Sequence, residues 1–163
     1  MSYIDGHLME GEKVIYITKL HWIIFRVSII FFILALLAAG IFAYGLNNND
    51  QHFKYIGEIL GGIFLLIALV SLIQSAVPYV SSEFGCTNKR VMIKRGFIKR
   101  ESLEILLTKV EAMHVRQGIA GRIFNYGTIE IRGTGGSVDS FDRIRAPLDF
   151  RMKVLEQVSM VQK

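Results

Sequence analysis

Six basic side chains arrive in three pairs, Lys89-Arg90, Lys94-Arg95 and Lys99-Arg100. Cations in such a cluster can hold phosphate oxygens by charge-assisted hydrogen bonds once a turn brings them together. Gly96 supplies that turn and would set the second and third pairs near one hairpin tip. Three roles stay open for the cluster: binding of a specific inositide, general attraction to anionic lipid, and a solvated strand edge whose cations guard against aggregation. Other residue types offer less chemistry. His114 and Glu111 are near in sequence, but no Ser or Cys nucleophile has a partner and no carboxylate pair stands out, so catalysis is not expected. His7, His21, His52 and His114 fall in four regions without ligand spacing, and Cys86 is alone. This rules out an internal disulfide and a Cys-based metal set, and no cofactor is expected. Cys86 reads as a buried small hydrophobe, with a reactive thiol as the alternative.

Two glycine patterns mimic ligand loops. Gly118-Ile119-Ala120-Gly121 has the spacing of a KH-type nucleic-acid loop, but its flanks read as strands and a turn, where that loop needs two helices. Its glycines are expected to turn the chain, with Ile119, Ile123 and Phe124 plugging into a core. Gly133-Thr134-Gly135-Gly136 is too short for a phosphate loop and reads as part of a hairpin turn. No aromatic residue interleaves with the basic cluster except Phe97, so nucleic acid is not an expected partner.

The elements that must position these residues divide the chain in two. Val27–Leu46 is 20 residues without a charge and Ile59–Ser82 is 24. About 20 apolar residues in a helix cover ~30 Å of hydrocarbon, so each run can span a bilayer alone. The expected organisation is residues 1–21 as a cytoplasmic N-terminal segment, 22–82 as a transmembrane hairpin with spans at about 22–46 and 59–80, and 83–163 as a separate domain. Charged residues before the first run, and the length of that run, argue against a cleavable signal. From Glu83 onward there are fifteen Lys/Arg against nine Asp/Glu, while the loop from Asn47 to Glu58 holds only Lys54 among its cations. The positive-inside rule then puts both termini and the domain in the cytoplasm, on the inner membrane, with the short loop outside.

Inside the spans, Gly57 and Gly61 form a small-xxx-small pair that lets helices approach closely. Gln74 is a polar amide in an apolar run and needs a partner. Gly57, Gly61 and Gln74 are therefore the candidate helix–helix contacts, within the hairpin or with another membrane protein or a second copy. Neither run contains an acid or a histidine, which argues against a proton or ion pathway. Pro78 is expected to end or kink the second span near its inner end.

After Glu83 the pattern changes to short alternating segments. Strands are expected at Phe84–Cys86, Arg90–Lys94, Ile98–Leu106, Ala112–Gln117, Thr128–Arg132 and Val138–Phe141. Val14–Leu20 also alternates, which leaves open an additional strand from the N-terminal segment. Pro147 suits the first position of a final helix, with Asp149 near its positive end. Leu148, Met152, Leu155 and Val158 then fall on one apolar face. This order suggests a small all-β barrel capped by a C-terminal helix.

Three stretches carry a resemblance: Cys86-Thr87-Asn88-Lys89-Arg90-Val91; Lys109-Val110-Glu111 with Val115-Arg116-Gln117-Gly118; and Gly121-Arg122-Ile123-Phe124-Asn125-Tyr126-Gly127-Thr128-Ile129-Glu130-Ile131. With the opening Gly11-Glu12-Lys13-Val14 and the hairpin, they resemble the bacterial pleckstrin-homology-like (PH-like) family, often found behind two membrane spans. The resemblance covers most of the chain and implies a PH-like barrel closed by a C-terminal helix. It also implies that assembly into rings is possible, while saying little about chemistry. The function expected is a non-catalytic, membrane-anchored binding module, an accessory or adaptor subunit for protein partners. The alternative is a module that reads anionic lipid through Lys89, Arg90, Lys94, Arg95, Lys99 and Arg100.

Overall fold

The structure is a computed structural model that describes residues 3–96, 101–136 and 138–161. Two compact units result: Trp22–Val77, and Met1–His21 together with Pro78–Lys163.

The first unit is helical. One 3-10 turn, Trp22–Phe25, leads into α1 (Arg26–Asn47), and α2 runs from Gln51 to Ser81. Both helices are long and apolar enough to cross a membrane. Only 17% and 11% of their apolar windows are buried, which is the reverse of a core helix in a water-soluble protein. The connection is far shorter than the expected loop from Asn47 to Glu58. It occupies residues 48–50, with Asn49 in the left-handed region, and the Asp50 carboxylate accepts the His52 N–H at 2.9 Å as an N-cap. Hydropathy marks where apolar residues begin, whereas this cap marks where the helix begins. Pro78 lies inside α2, three residues before its end. The helix continues to Ser81, and the Ser82 N–H donates to the Pro78 carbonyl at 3.1 Å; proline itself has no N–H to donate.

Small residues join the two helices. Ala35, Ala38 and Ala68 are buried, Ser28 Oγ donates to Ser71 Oγ at 3.1 Å, and Ser75 Oγ donates to the Ile24 carbonyl at 3.2 Å. A Cβ on Gly57 would lie 2.5 Å from the Phe42 backbone nitrogen, and one on Gly61 would lie 3.8 Å from Ala38 Cβ. Gly57 thus has no room for a side chain within the hairpin, whereas Gly61 is in ordinary contact with Ala38. Gln74 is exposed and has no hydrogen bond from its amide among the described residues. Gly57→Val is expected to weaken the hairpin by about 1–3 kcal/mol, because its clash is with backbone that cannot rotate away. An SDS titration of helicity reads this, and an unshifted midpoint would refute the packing role.

The second unit is built from two antiparallel sheets. One has the order β1 (Val14–Thr18), β2 (Glu83–Thr87), β3 (Arg90–Arg95), β4 (Glu101–Leu106); the other has β5 (Val110–Arg116), β6 (Tyr126–Gly133), β7 (Val138–Arg145). β1 lies before both helices in sequence yet pairs with β2, Tyr16 opposite Cys86 and Thr18 opposite Phe84. The alternation at Val14–Leu20 is therefore a true strand as far as Thr18.

The expected barrel is not closed. At one corner the chain leaving β1 crosses to β7, where Leu20 bridges Ile144, the Arg145 N–H donates to the Lys19 carbonyl at 3.0 Å and the His21 N–H donates to the Arg143 carbonyl at 2.7 Å. A bulge in β7 makes this possible, with Arg143 at φ 58° turning its carbonyl toward His21. At the other corner the chain passes from β4 to β5 through a 3-10 turn, Leu107–Lys109, with no ladder between them among the described residues. The core lies between the sheets. Phe84 and Phe141 meet edge to face at 5.8 Å, around buried Val91, Ile129 and Ile131. α4 (Pro147–Val161) packs against this core through Phe150, Val154 and Val158.

Candidate binding surfaces

The opening Gly11-Glu12-Lys13 segment and the Thr87–Arg90 turn, far apart in sequence, form one hydrogen-bond network. The Asn88 side chain accepts the Lys13 N–H at 2.8 Å and donates to the Gly11 carbonyl at 3.2 Å. Thr87 Oγ1 donates to Glu12 Oε1 at 2.7 Å and accepts the Arg90 N–H at 3.0 Å. The Arg90 guanidinium donates twice to Glu12, at 3.0 and 2.9 Å, and also to Glu104 and to the His7 carbonyl. Burial alone would raise the Glu12 carboxyl. Hydrogen bonds from Arg90, the Met9 N–H and Thr87, with the Arg90 charge, outweigh it and hold the carboxyl at about 2. Arg90 is buried and its donors are taken up inside the domain, so it does not face an external anion.

The basic pairs are thereby separated. Lys89, beside Arg90, is exposed, and its Nζ donates to the Glu10 carbonyl at 2.8 Å. Lys94 and Arg95 lie at the other end of β3, just before Gly96 at φ 82°. As neighbours on a strand they point to opposite faces: Lys94 Nζ sits 4.8 Å over the Tyr3 ring, and the Arg95 guanidinium 5.6 Å over Phe141. A cleft of about 260 Å³ beside Arg95 also carries Glu101 and Asp139, a mixed rather than a cationic lining. Lys99 and Arg100 lie outside the described residues.

A different feature emerges between β5 and β6. The chain forms one helical turn, α3 (Ile119–Ile123), and its shape is held from within. Gln117 Nε2 donates to the Gly121 carbonyl at 3.2 Å and the Tyr126 carbonyl at 3.0 Å. A Cβ on Gly121 would meet the Tyr126 carbonyl oxygen at 2.6 Å, and Asn125 takes φ 55°. The expectation that Ile119, Ile123 and Phe124 plug the barrel is overturned: they are 83%, 72% and 47% exposed. The glycines do turn the chain, but the core is already filled from β6, β7 and α4, and the turn projects its apolar side chains outward. Beside it runs a groove of about 640 Å³ lined by Arg116, Gln117, Arg122 and Leu148. Arg116 is paired with Glu130. Arg122 is exposed and has no ion pair among the described residues.

The last helix brings a second correction. Its buried side is Pro147, Phe150, Val154, Gln157 and Val158, whereas Leu148, Met152 and Leu155 are exposed. α4 is apolar on two sides, and periodicity alone selected mainly the outer one. His114 is exposed on β5. Cys86 is fully buried, and that burial pushes its thiol up to about 12, which fits the small-hydrophobe reading. Among the described residues no group of three or more His, Cys, Asp or Glu is arranged to hold a metal.

Antiparallel strands with a C-terminal helix against the core fit what the resemblance implied, whereas the barrel it implied is not closed. The family model described as Bacterial PH domain matches residues 13–163, from just before β1 to the end of α4. The chain belongs to this family. Comparison with curated proteins gave no match. The bacterial PH domain match takes in the two apolar helices between β1 and β2 as well as the sheets. PH domains are generally non-catalytic binding modules.

Proposed function

We propose that this PH-domain protein is a non-catalytic adaptor anchored in the cytoplasmic membrane by α1 and α2, with both termini and the domain on the cytoplasmic side. The domain holds a protein partner within a membrane complex. The observation that carries this is the outer side of α4, where Leu148, Met152 and Leu155 are exposed while the opposite side fills the core. Contiguous exposed apolar surface on a folded domain marks an interaction site. The concentration of Lys and Arg outside the α1–α2 connection supports the orientation. Gln74 is the residue proposed to contact a neighbouring helix, from the partner or from a second copy, because an amide on an exposed helix side in hydrocarbon needs one.

Gentle detergent extraction of the tagged protein from native membranes, followed by mass spectrometry, tests the reading. The expected result is a stoichiometric protein that is retained by the wild type and lost from Met152→Ser/Leu155→Ser. Recovery of both forms alone would refute the adaptor. A second reading, attraction of anionic lipid to Lys89, Lys94, Arg95, Lys99 and Arg100, is supported by the exposed charge of Arg95 and Lys89. Charge reversal at Lys94, Arg95, Lys99 and Arg100 would then release co-purifying anionic lipid from the full chain, and unchanged lipid would remove that reading.

A further inference from the structure

We infer that the turn between β5 and β6 is a bilayer-contact element: Ile119, Ile123 and Phe124 enter the interfacial layer of the membrane, and Arg122 meets its anionic headgroups. The inference rests on the proposal that α1 and α2 span that membrane, and it concerns the turn itself, which adjoins the outer side of α4 through the groove that Arg122 shares with Leu148.

Four observations lead to it. First, three large apolar side chains are exposed together on a turn whose backbone is held by Gln117, Gly121 and Asn125, so their exposure is built rather than incidental. Second, residues 117–125 contain no acid and one cation, Arg122. Apolar side chains with Arg and no acid suit the headgroup boundary, where the stem of Arg lies along apolar surface and its head meets phosphate. Third, further cations lie near, since Arg143 and Arg145 on β7 are both exposed.

The fourth observation selects the bilayer over a soluble partner. His21 is buried within the same unit, stacked on Tyr126 at 5.3 Å and hydrogen-bonded to the Phe124 backbone. The next residue, Trp22, opens the first apolar helical segment. The turn is thus fastened to the residue from which the chain departs for its first span.

Cys86 is fully buried, which leaves an introduced cysteine as the site of labelling. The full chain would be placed in nanodiscs of phosphatidylcholine and phosphatidylglycerol, with an NBD label at Ile123→Cys, Leu37→Cys or Thr134→Cys in separate preparations. All three positions are exposed, so the substitutions spare the core. Position 37 reports the span and 134 reports a distant hairpin tip. The expected result is a blue-shifted NBD at 123, quenched several-fold more by lipids spin-labelled near the headgroup than NBD at 134, with the difference reduced by Arg122→Glu. Quenching at 37 with position 123 as water-exposed as 134 overturns the inference and leaves the spans standing. No lipid quenching at 37 overturns both. A label at 123 shielded from iodide yet not quenched by lipid means that another copy covers the turn, and this too overturns the inference.

Discussion

Glu12→Gln is expected to lower the stability of the PH domain by about 3–5 kcal/mol, the usual cost of removing one member of a buried ion pair. The cost arises because Arg90 remains. Its guanidinium is buried, and two of its hydrogen bonds go to Glu12, whose side chain is fully enclosed. A pH series identifies the cause. The folded Glu12 carboxyl is held at about 2 against an ordinary 4.5. Between those values the unfolded chain binds a proton that the folded chain does not. The stabilisation is therefore fully present above about pH 5 and is lost as pH falls toward 2, amounting to about 3 kcal/mol. Thermal melts of the full chain in detergent should show this acid limb in the wild type, and Glu12→Gln should flatten it. An equally steep limb in the variant would place the acid sensitivity elsewhere.

Phe150→Ala is expected to cost about 3–5 kcal/mol, while Met152→Ser, two residues along the same helix, should stay within about 0.5 kcal/mol. Phe150 is almost fully buried and lies 6.3 Å from the Tyr16 ring, so its loss opens a cavity between α4 and β1. Met152 faces outward. Given that a small domain has about 5–15 kcal/mol in all, the first variant should be cut readily by protease between residues 83 and 163 while its apolar helices stay intact. The second should be as resistant as the wild type and differ only in what it retains from the membrane. Equal sensitivity of the two would mean that the outer side of α4 carries fold rather than function.

Much of the architecture was legible because it rests on local signals. Uncharged runs and period-two alternation found both helices and six of the strands. What escaped reading depends on distant partners. Arg90 looks like a member of a basic cluster until Glu12 arrives from 78 positions away. Ile119, Ile123 and Phe124 look like core residues because hydrophobicity says nothing about which side of a turn faces the core. α4 carries apolar residues on two sides, and periodicity cannot say which one a sheet will cover. The extent of the connection after α1 was missed because a cap at Asp50, not a change in hydropathy, starts the next helix. Barrel closure failed for a similar reason: strand count alone cannot reveal a corner left to a 3-10 turn.

The placement of β1 has a consequence for biosynthesis. It leaves the ribosome first, but its hydrogen-bonding neighbour β2 follows only after both apolar helices have been made. A strand edge cannot pair through hydrocarbon, so residues 14–18 and 83–87 must end in the same compartment. The finished sheet is thus compatible with two crossings or none, and incompatible with one. A chain whose second helix failed to insert would strand its first strand on the wrong side and leave β2 with a bare edge, the kind of surface that invites aggregation and quality control. In this way the sheet acts as a parity check on membrane insertion.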